Sequence, residues 1–259
     1  MLLKDQAAIV TGGASGLGAA TARKLAAQGA KVAVFDLNAK LAETVAAEIK
    51  GVAVTCDVSD AASAEAAIAQ ATKAHGPARV LVNCAGIGVA KRVVGRDGPM
   101  ALADFDKVIK VNLIGTFNML RLAATEMSKL EPQASGERGV IINTASIVAF
   151  DGQEGQSAYA AAKGAIAAMT LPLARDLKGH GIRVLTIAPG TFLTPPVAAA
   201  PEHVREIFER SALAPGRLGH PEEFGRFVVH ACENSYLNGD TYRLDGGARL
   251  PARDSERQR

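Results

Sequence analysis

Tyr159 and Lys163 are the first pair of side chains in this sequence whose types and spacing suggest chemistry. They stand four positions apart in YAAAK, so they share one face of a predicted helix. A tyrosine with its ordinary pKa near ~10 is a poor base at neutral pH. A nearby ammonium, together with a positively charged ring in a bound ligand, would favour the phenolate and lower that pKa. The pair alone is common on helix surfaces and proves little.

Ser146 is the next candidate because it follows a short apolar run, Val140–Ala145, that predicts a β-strand. Ligands of open parallel sheets bind at the carboxyl ends of the strands. Ser146 is expected to lie there beside Tyr159, with its hydroxyl available to hold the oxygen atom of a substrate. Tyr159 would then take a proton from an alcohol.

A glycine-rich loop at residues 11–18 (TGGASGLG) stands between the first predicted strand and the first predicted helix. Glycine there lets a pyrophosphate approach the backbone, while the amides of the helix N-terminus face the anion. We predict that this loop binds the phosphates of a dinucleotide; a purely structural turn is the alternative. The residues expected to form the site are Gly12, Ser15, Gly16, Leu17 and Gly18.

Asp36 closes the second predicted strand, where an acidic residue of a dinucleotide site meets the adenosine ribose. Its carboxylate can accept hydrogen bonds from two ribose hydroxyls and would repel a 2′-phosphate. Ser15 offers no positive charge to attract one. These two residues predict NAD rather than NADP as the cofactor, with the start of a simple turn as the alternative role of Asp36.

The elements that must position these residues alternate between strand and helix. Apolar strands alternating with helices indicate a parallel sheet covered on both faces. We predict a single-domain Rossmann fold, a doubly wound α/β sheet of about seven strands. The predicted strands are Ala7–Thr11, Lys31–Asp36, Val52–Asp57, Val80–Cys84, Val140–Ala145, Arg183–Ala188 and Asp240–Leu244. The predicted helices are Ala19–Gln28, Ala61–His75, Leu102–Leu130, Ser157–Lys178 and Glu202–Arg210.

Bulk properties exclude several other classes of protein. The 259 residues suit one domain at 1–251 followed by a charged tail at 252–259. The scattered cysteines and histidines lack metal-ligand spacing, so we expect no bound metal. The scattered cysteines also suit a reducing compartment. A net charge of +3 with no basic-aromatic cluster argues against nucleic acid. Without a leader or a long apolar run, we expect a cytoplasmic protein and no membrane partner.

Together these motifs resemble the short-chain dehydrogenases/reductases over essentially the whole chain. The resemblance is carried by TGGASGLG (11–18), Asp36, CDV (56–58), NCAG (83–86), Asn112, Ser146, YAAAK (159–163) and PGTFLTP (189–195). It implies catalytic roles for Ser146, Tyr159, Lys163 and Asn112, with Asn112 holding a water that links Lys163 to solvent. It also implies that the cofactor contacts Asp57, Val58, Cys84, Ala85, Gly86, Tyr159, Lys163, Pro189, Gly190, Phe192 and Thr194.

A narrower resemblance is to the type II 3-hydroxyacyl-CoA dehydrogenases, a subgroup also described as 17β-hydroxysteroid dehydrogenases. It is carried by RGVIINTAS (138–146), AYAAAKGAI (158–166), MTLPLARDL (169–177), GIRVLTIAPG (181–190) and LNGDTYRLDG (237–246). It implies NAD, a homotetramer and a substrate-binding role for Gln156 beside Ser146 and Tyr159. Bulky Leu193 departs from the subgroup and leaves the preferred acyl chain length open.

The substrate remains open between an acyl-CoA and a steroid or simple secondary alcohol. Lys91, Arg92 and Arg96 suit the phosphates of coenzyme A, although a solvated basic loop is the alternative on residue types alone. The small residues of 157–178 suit a helix-to-helix subunit contact, with packing on the sheet as the alternative. A non-enzyme that senses NAD or scaffolds a complex is disfavoured, because a pure binder needs no catalytic side chains.

Overall fold

A computed structural model describes residues 1–251 of the chain, so the predicted tail at 252–259 lies outside the described residues. Seven parallel strands form the central sheet in the order β3-β2-β1-β4-β7-β8-β9. Two very short strands, β5 and β6, pair separately as a hairpin. The strands are β1 Ala7–Thr11, β2 Lys31–Asp36, β3 Val52–Thr55, β4 Val80–Asn83, β5 Val94–Gly95, β6 Gly98–Pro99, β7 Gly139–Thr144, β8 Ile182–Pro189 and β9 Thr241–Leu244.

Helices cover both faces of this sheet. They are α1 Gly16–Ala27, α2 Ala39–Glu48, α3 Ala61–His75, α4 Leu102–Ile109, α5 Gly115–Ser128, α6 Val148–Asp151, α7 Ser157–Asp176, α8 Pro195–Ala198, α9 Glu202–Ser211 and α10 Pro221–Glu233. A π-helical turn at Lys110–Ile114 joins α4 to α5, and a 3₁₀ turn at Lys178–His180 follows α7. No helix among the described residues is long and apolar enough to cross a membrane.

The alternation of side chains along each strand divides the core into two layers. In β1, Ala8 and Val10 join the layer under α1 and α10, whereas Ile9 faces the opposite layer with α3 and α5. Successive strand residues point to opposite faces of a sheet, and both faces are buried here. The prediction of a doubly wound Rossmann sheet with about seven strands is therefore confirmed.

Three predictions about individual elements were wrong in detail. The continuous helix expected at Leu102–Leu130 is interrupted by the π-helical turn, and the helices α2 and α10 were not predicted. The buried positions of α10, among them Phe224 and Val228, do show helical spacing that was available in the sequence. Strands β3 and β4 end before Asp57 and Cys84, so both residues lie in the loops that follow.

The strand order reverses between β1 and β4, which lie side by side at the centre of the sheet. Helices leaving the two strands go to opposite faces, so a crevice opens outside their carboxyl ends. This is where doubly wound sheets bind ligands. The topology therefore delivers the glycine loop after β1 and the NCAG segment after β4 to the same place.

A buried ion pair holds the opposite, amino-terminal region of the sheet. Arg183 of β8 pairs with Glu137, and both side chains are less than a tenth exposed. The Arg183 guanidinium also donates to the carbonyl oxygens of Ala231, Cys232 and Leu237, at 2.8–2.9 Å. Burial by itself raises the pKa of Glu137, but the hydrogen bond and charge of Arg183 outweigh it, so the pKa lies below its ordinary 4.5.

We predict that Glu137→Gln lowers the free energy of unfolding by about 3 kcal/mol at neutral pH, because it leaves a buried guanidinium without its counter-charge. Urea unfolding measures the loss. The stabilisation by a carboxyl whose pKa is lowered is complete above pH 4.5 and disappears as the pH falls through the folded-state pKa. The difference in free energy of unfolding between the variant and the parent should therefore become smaller at acidic pH.

The matched control is Glu48→Gln, which removes the half-exposed partner of Arg23. Exposed pairs contribute about 0–1 kcal/mol, so this loss should be small. Equal losses in the two variants would show that Glu137 stabilises the fold no more than a surface carboxylate does.

Candidate active site

A cavity of about 600 Å³ opens at the carboxyl ends of the strands. Most residues predicted to bind a cofactor or substrate line it. They are Gly12, Ser15, Gly16, Leu17, Gly18, Asp36, Asp57, Val58, Cys84, Ala85, Gly86, Ser146, Tyr159, Lys163, Pro189, Gly190, Phe192 and Thr194. The structure thus brings together residues that are spread over more than 180 positions of the chain.

The glycine loop forms one end of the cavity, and its backbone needs glycine for steric reasons. Gly12 has a φ of +62°, in the left-handed region that favours glycine. A Cβ on Gly18 would lie only 2.1 Å from the carbonyl oxygen of Gly12. The loop therefore packs tightly against the first turn of α1, with backbone open to a ligand on the cavity side. This arrangement fits the diphosphate of a dinucleotide.

Asp36 lies at the same end of the cavity and is held by the backbone. One carboxylate oxygen accepts a hydrogen bond from the Ala14 amide at 3.1 Å, and the other from the Asn38 amide at 3.0 Å. Among the described residues that line the cavity, Lys163 alone carries a cationic side chain. The Asp36 end therefore presents a fixed negative charge, with no cation in the lining beside it.

Ser146, Tyr159 and Lys163 meet at the other end of the cavity. Lys163 is buried in α7, and its ammonium donates to the Thr144 carbonyl oxygen at 2.7 Å. The same ammonium lies 5.6 Å from the centre of the Tyr159 ring. Ser146 follows β7 and accepts a hydrogen bond from the Val148 amide on its hydroxyl oxygen at 3.2 Å. A phenol, a hydroxyl and an ammonium group thus meet at one end of the cavity.

Burial shifts the pKa values of two side chains at this end of the cavity. Burial raises the pKa of Tyr159, and the adjacent Ser146 hydroxyl offsets only part of the rise. Burial also lowers the pKa of Lys163 to about 8. In the protein without a bound ligand, desolvation of the phenol therefore outweighs the hydrogen bond of Ser146, whereas the lowering predicted with a positively charged ring bound stays a prediction. A further positive charge in the cavity would be needed to favour the phenolate.

Asn112 lies just behind the cavity wall, in the π-helical turn. Its side-chain amide donates to the carbonyl oxygens of Val108 and Ile87, both at 2.9 Å. Its Oδ1 is buried and has no hydrogen-bond partner among the described residues. A Cβ on Gly86 would lie 2.6 Å from this oxygen and 3.7 Å from the Lys163 ammonium. The Oδ1 of Asn112, a hydrogen-bond acceptor, therefore faces Gly86, which lies close to the Lys163 ammonium.

Gln156 is the predicted substrate residue that does not line the cavity. Its Oε1 accepts a hydrogen bond from the Gln153 amide at 2.9 Å, which shapes the loop before α7. The lining also includes residues that the sequence did not single out for the site. These are Leu37, Cys56, Ile87, Gly88, Val111, Thr144, Ala145, Thr191, Pro195 and Pro196. Several of them directly follow a strand, which was the available signal.

The basic loop after β4 is partly neutralised by carboxylates. Lys91 pairs with Asp104 at 2.5 Å, and Arg92 pairs with Glu154 at 2.8 Å. Arg96 has no ion-pair partner among the described residues. Two of the three cations therefore already have a counter-charge, although each pair is partly exposed and readily exchanged.

The fold and the cavity agree with comparisons to known proteins. The family model described as short chain dehydrogenase matches residues 6–205. The chain belongs to the short-chain dehydrogenase family and is an oxidoreductase acting on CH–OH groups, as the sequence predicted.

The relatives also share its length. The 3-hydroxyacyl-CoA dehydrogenase type-2 of Bos taurus is 49% identical over 252 residues, covering 96% of this chain and 97% of its own. The human protein of the same name is 46% identical with the same coverage. A crystal structure of 3-hydroxyacyl-CoA dehydrogenase type-2 from Mycobacterium avium superposes with a TM-score of 0.91 at 42% identity, covering 96% of this chain and 98% of that one.

Proposed function

We propose that this protein is an NAD-dependent dehydrogenase that interconverts a 3-hydroxyacyl-CoA and a 3-oxoacyl-CoA. The observation that carries the proposal is that Ser146, Tyr159 and Lys163 line the same cavity as the glycine loop and Asp36. A hydroxyl-binding group and a proton-transfer group thus stand at one end of a dinucleotide-sized cavity. The similarity to proteins named 3-hydroxyacyl-CoA dehydrogenase type-2 supports the choice of substrate.

In the proposed mechanism the Ser146 hydroxyl holds the substrate oxygen, and Tyr159 exchanges a proton with it. Nicotinamide, when bound, supplies the acceptor for the hydride that leaves the substrate carbon. Lys163 and the positive charge of the oxidised cofactor together favour the Tyr159 phenolate, which the protein alone disfavours. Transfer of the hydroxyl proton to Tyr159 then assists oxidation of the alcohol.

The proposed proton path continues from Lys163 toward Asn112. The unpartnered, buried Oδ1 of Asn112 can accept a hydrogen bond from a water molecule near the Lys163 ammonium. Such a water would link Lys163 to solvent and restore its proton after each turnover. The pKa of Lys163, lowered by burial to about 8, suits a group that gains and loses a proton near neutral pH.

The proposed preference for NAD over NADP rests on Asp36. Its carboxylate is oriented by the amides of Ala14 and Asn38 and keeps its charge beside the ribose position. A 2′-phosphate placed there would be repelled, and Lys163, the cationic residue of the cavity lining, lies at the other end of the cavity. The remaining cofactor contacts are proposed for the loop and strand-end residues that line the cavity.

The proposed coenzyme A handle would contact the loop that carries Lys91, Arg92 and Arg96. Ion pairs with one half-exposed partner hold Lys91 and Arg92, and such pairs contribute only about 0–1 kcal/mol. Phosphate groups could displace these carboxylates at small cost. Gln156, which lies outside the cavity lining, is proposed to contact the substrate only at the entrance.

A homotetramer is the proposed assembly, and a cytoplasmic location is proposed with it. Two exposed apolar residues, Ile114 and Phe117, lie where the π-helical turn passes into α5, and Leu171 lies on the outer face of α7. The small residues of α7 are compatible both with packing on the sheet and with a subunit contact. Ala158 and Ala162 are buried, whereas other small residues of the helix face outward. Solution scattering should give a mass four times that of the chain, and a monomer would refute the proposal.

We predict that Tyr159→Phe reduces kcat by at least about 10²-fold, because it removes the proton-transfer group but keeps the ring. Binding of NADH, measured by fluorescence, should change little. Tyr236→Phe is the matched control, since Tyr236 is almost fully exposed and lies outside the cavity lining. Full turnover by the Tyr159 variant would contradict its role in proton transfer, whereas a parent protein that binds NADH but oxidises no alcohol would favour a cofactor sensor.

A substrate panel tests the substrate and cofactor together. We expect oxidation of 3-hydroxybutyryl-CoA with NAD to proceed with a higher kcat/KM than oxidation of a CoA-free hydroxybutyrate ester or a hydroxysteroid. NADP should be the poorer acceptor in each case. Equal kcat/KM for the CoA thioester and the free ester would contradict a CoA-binding loop, and a preference for the steroid would identify the alternative dehydrogenase.

A further inference from the structure

Arg243 of β9 joins three segments behind the candidate active site. Its Nη2 donates to Asp151 Oδ2 at 2.6 Å and to the Ala248 carbonyl oxygen at 2.8 Å. Its Nε donates to Asp245 Oδ2 at 2.7 Å. The side chains of Arg243, Asp151 and Asp245 are 22%, 18% and 7% exposed, so these charges are largely shielded from water. Charge-assisted bonds in such a setting hold their geometry well.

The first of these contacts leads to Ser146. Asp151 is the last residue of α6, and α6 begins two residues after Ser146. The Val148 amide, in the first turn of α6, donates to the Ser146 hydroxyl oxygen. The Arg243 guanidinium also lies 5.5 Å from the centre of the Phe150 ring. Arg243 therefore holds the far end of the short helix whose near end orients the Ser146 hydroxyl.

The second contact leads to Gly190, which follows β8, the strand next to β7. A Cβ on Gly190 would lie 2.9 Å from Asp245 Cα and Cβ, so the two backbones are packed against each other. The Gly190 amide also donates to the Leu244 carbonyl oxygen at 2.9 Å. Gly190 lines the cavity on the side where the cofactor is proposed to bind. Asp245 thus supports the cavity wall around Gly190, which adjoins the Ser146 segment because the Ile147 amide donates to the Pro189 carbonyl oxygen at 3.1 Å.

We propose that Arg243 is a positioning residue that sets the placement of Ser146 relative to the Gly190 wall. The inference rests on the proposed function, because it assigns Arg243 a part in aligning the substrate oxygen. The guanidinium fork reaches Asp151 and Asp245 at once, whereas a lysine ammonium is a single point charge and would keep one of them at most. Misplacement of a reacting group by about 1 Å costs rate rather than ground-state affinity for the cofactor.

The test compares Arg243→Lys and Asp151→Asn with the parent enzyme. With 3-hydroxybutyryl-CoA and NAD, well below the unfolding midpoint, we expect kcat to fall about 10- to 100-fold in each. The kcat of the double variant should be little lower than that of either single variant, because both substitutions remove the same interaction between Arg243 and Asp151. NADH affinity, measured by fluorescence, should change less than twofold. The control is Arg249→Lys, since Arg249 is exposed and pairs with the same Asp245 at 3.4 Å; its kcat should be unchanged.

A second readout does not require turnover. Absorbance titration, with the Tyr159→Phe protein subtracted, isolates the ionisation of Tyr159. Displacing the Ser146 hydroxyl removes a contribution that lowers the Tyr159 pKa, so Arg243→Lys should shift this titration upward, and Arg249→Lys should not.

The outcomes separate the two proposals. Normal kcat and an unshifted Tyr159 titration in Arg243→Lys, with only a lower melting temperature, would overturn the positioning role. A loss of NADH affinity that accounts for the whole rate loss would also overturn it. If the parent enzyme oxidises no alcohol of the panel but the titration still shifts, the proposed function fails and the positioning of Ser146 stands.

Discussion

The hydrogen bond from the buried ammonium of Lys163 to the Thr144 carbonyl oxygen is the contact on which the candidate site depends. It joins α7 to the end of β7 at 2.7 Å, and so places Tyr159 of the same helix beside Ser146, which follows that strand. Burying an ammonium costs free energy, and the lowered pKa of Lys163 expresses that cost. Burial therefore disfavours the charged form of Lys163 and also the ionised form of Tyr159 beside it.

That arrangement explains why the two ends of the cavity belong together. Neither Tyr159 nor Lys163 reaches a reactive state through the protein alone, because desolvation disfavours the charged form of each. A positively charged ligand ring would change the balance, and the glycine loop and Asp36 are proposed to bind the rest of such a ligand. Cofactor binding and activation of the base are in this sense one electrostatic event.

The buried ion pair that stabilises the fold and the residues of the candidate site lie at opposite ends of the strands of the sheet. Near its amino-terminal region, Arg183 and Glu137 form a buried ion pair that caps the carbonyl groups of neighbouring segments. At the carboxyl edge, glycines such as Gly12 and Gly18 allow neighbouring backbone segments to lie close together. Arg243 lies behind this edge and connects the segments that carry Ser146 and Gly190. A parallel sheet permits this division because all of its strands end at the same side.

The sequence by itself determined the alternation of strands and helices, the glycine loop, Asp36 and the pairing of Tyr159 with Lys163, since these follow from local spacing and side-chain type. The tertiary structure decided the π-helical turn at Asn112, the ion pairs of the basic loop, the place of Gln156 outside the cavity and the raised pKa of Tyr159. Each of these depends on desolvation or on contacts between residues far apart in the chain, which local patterns do not record.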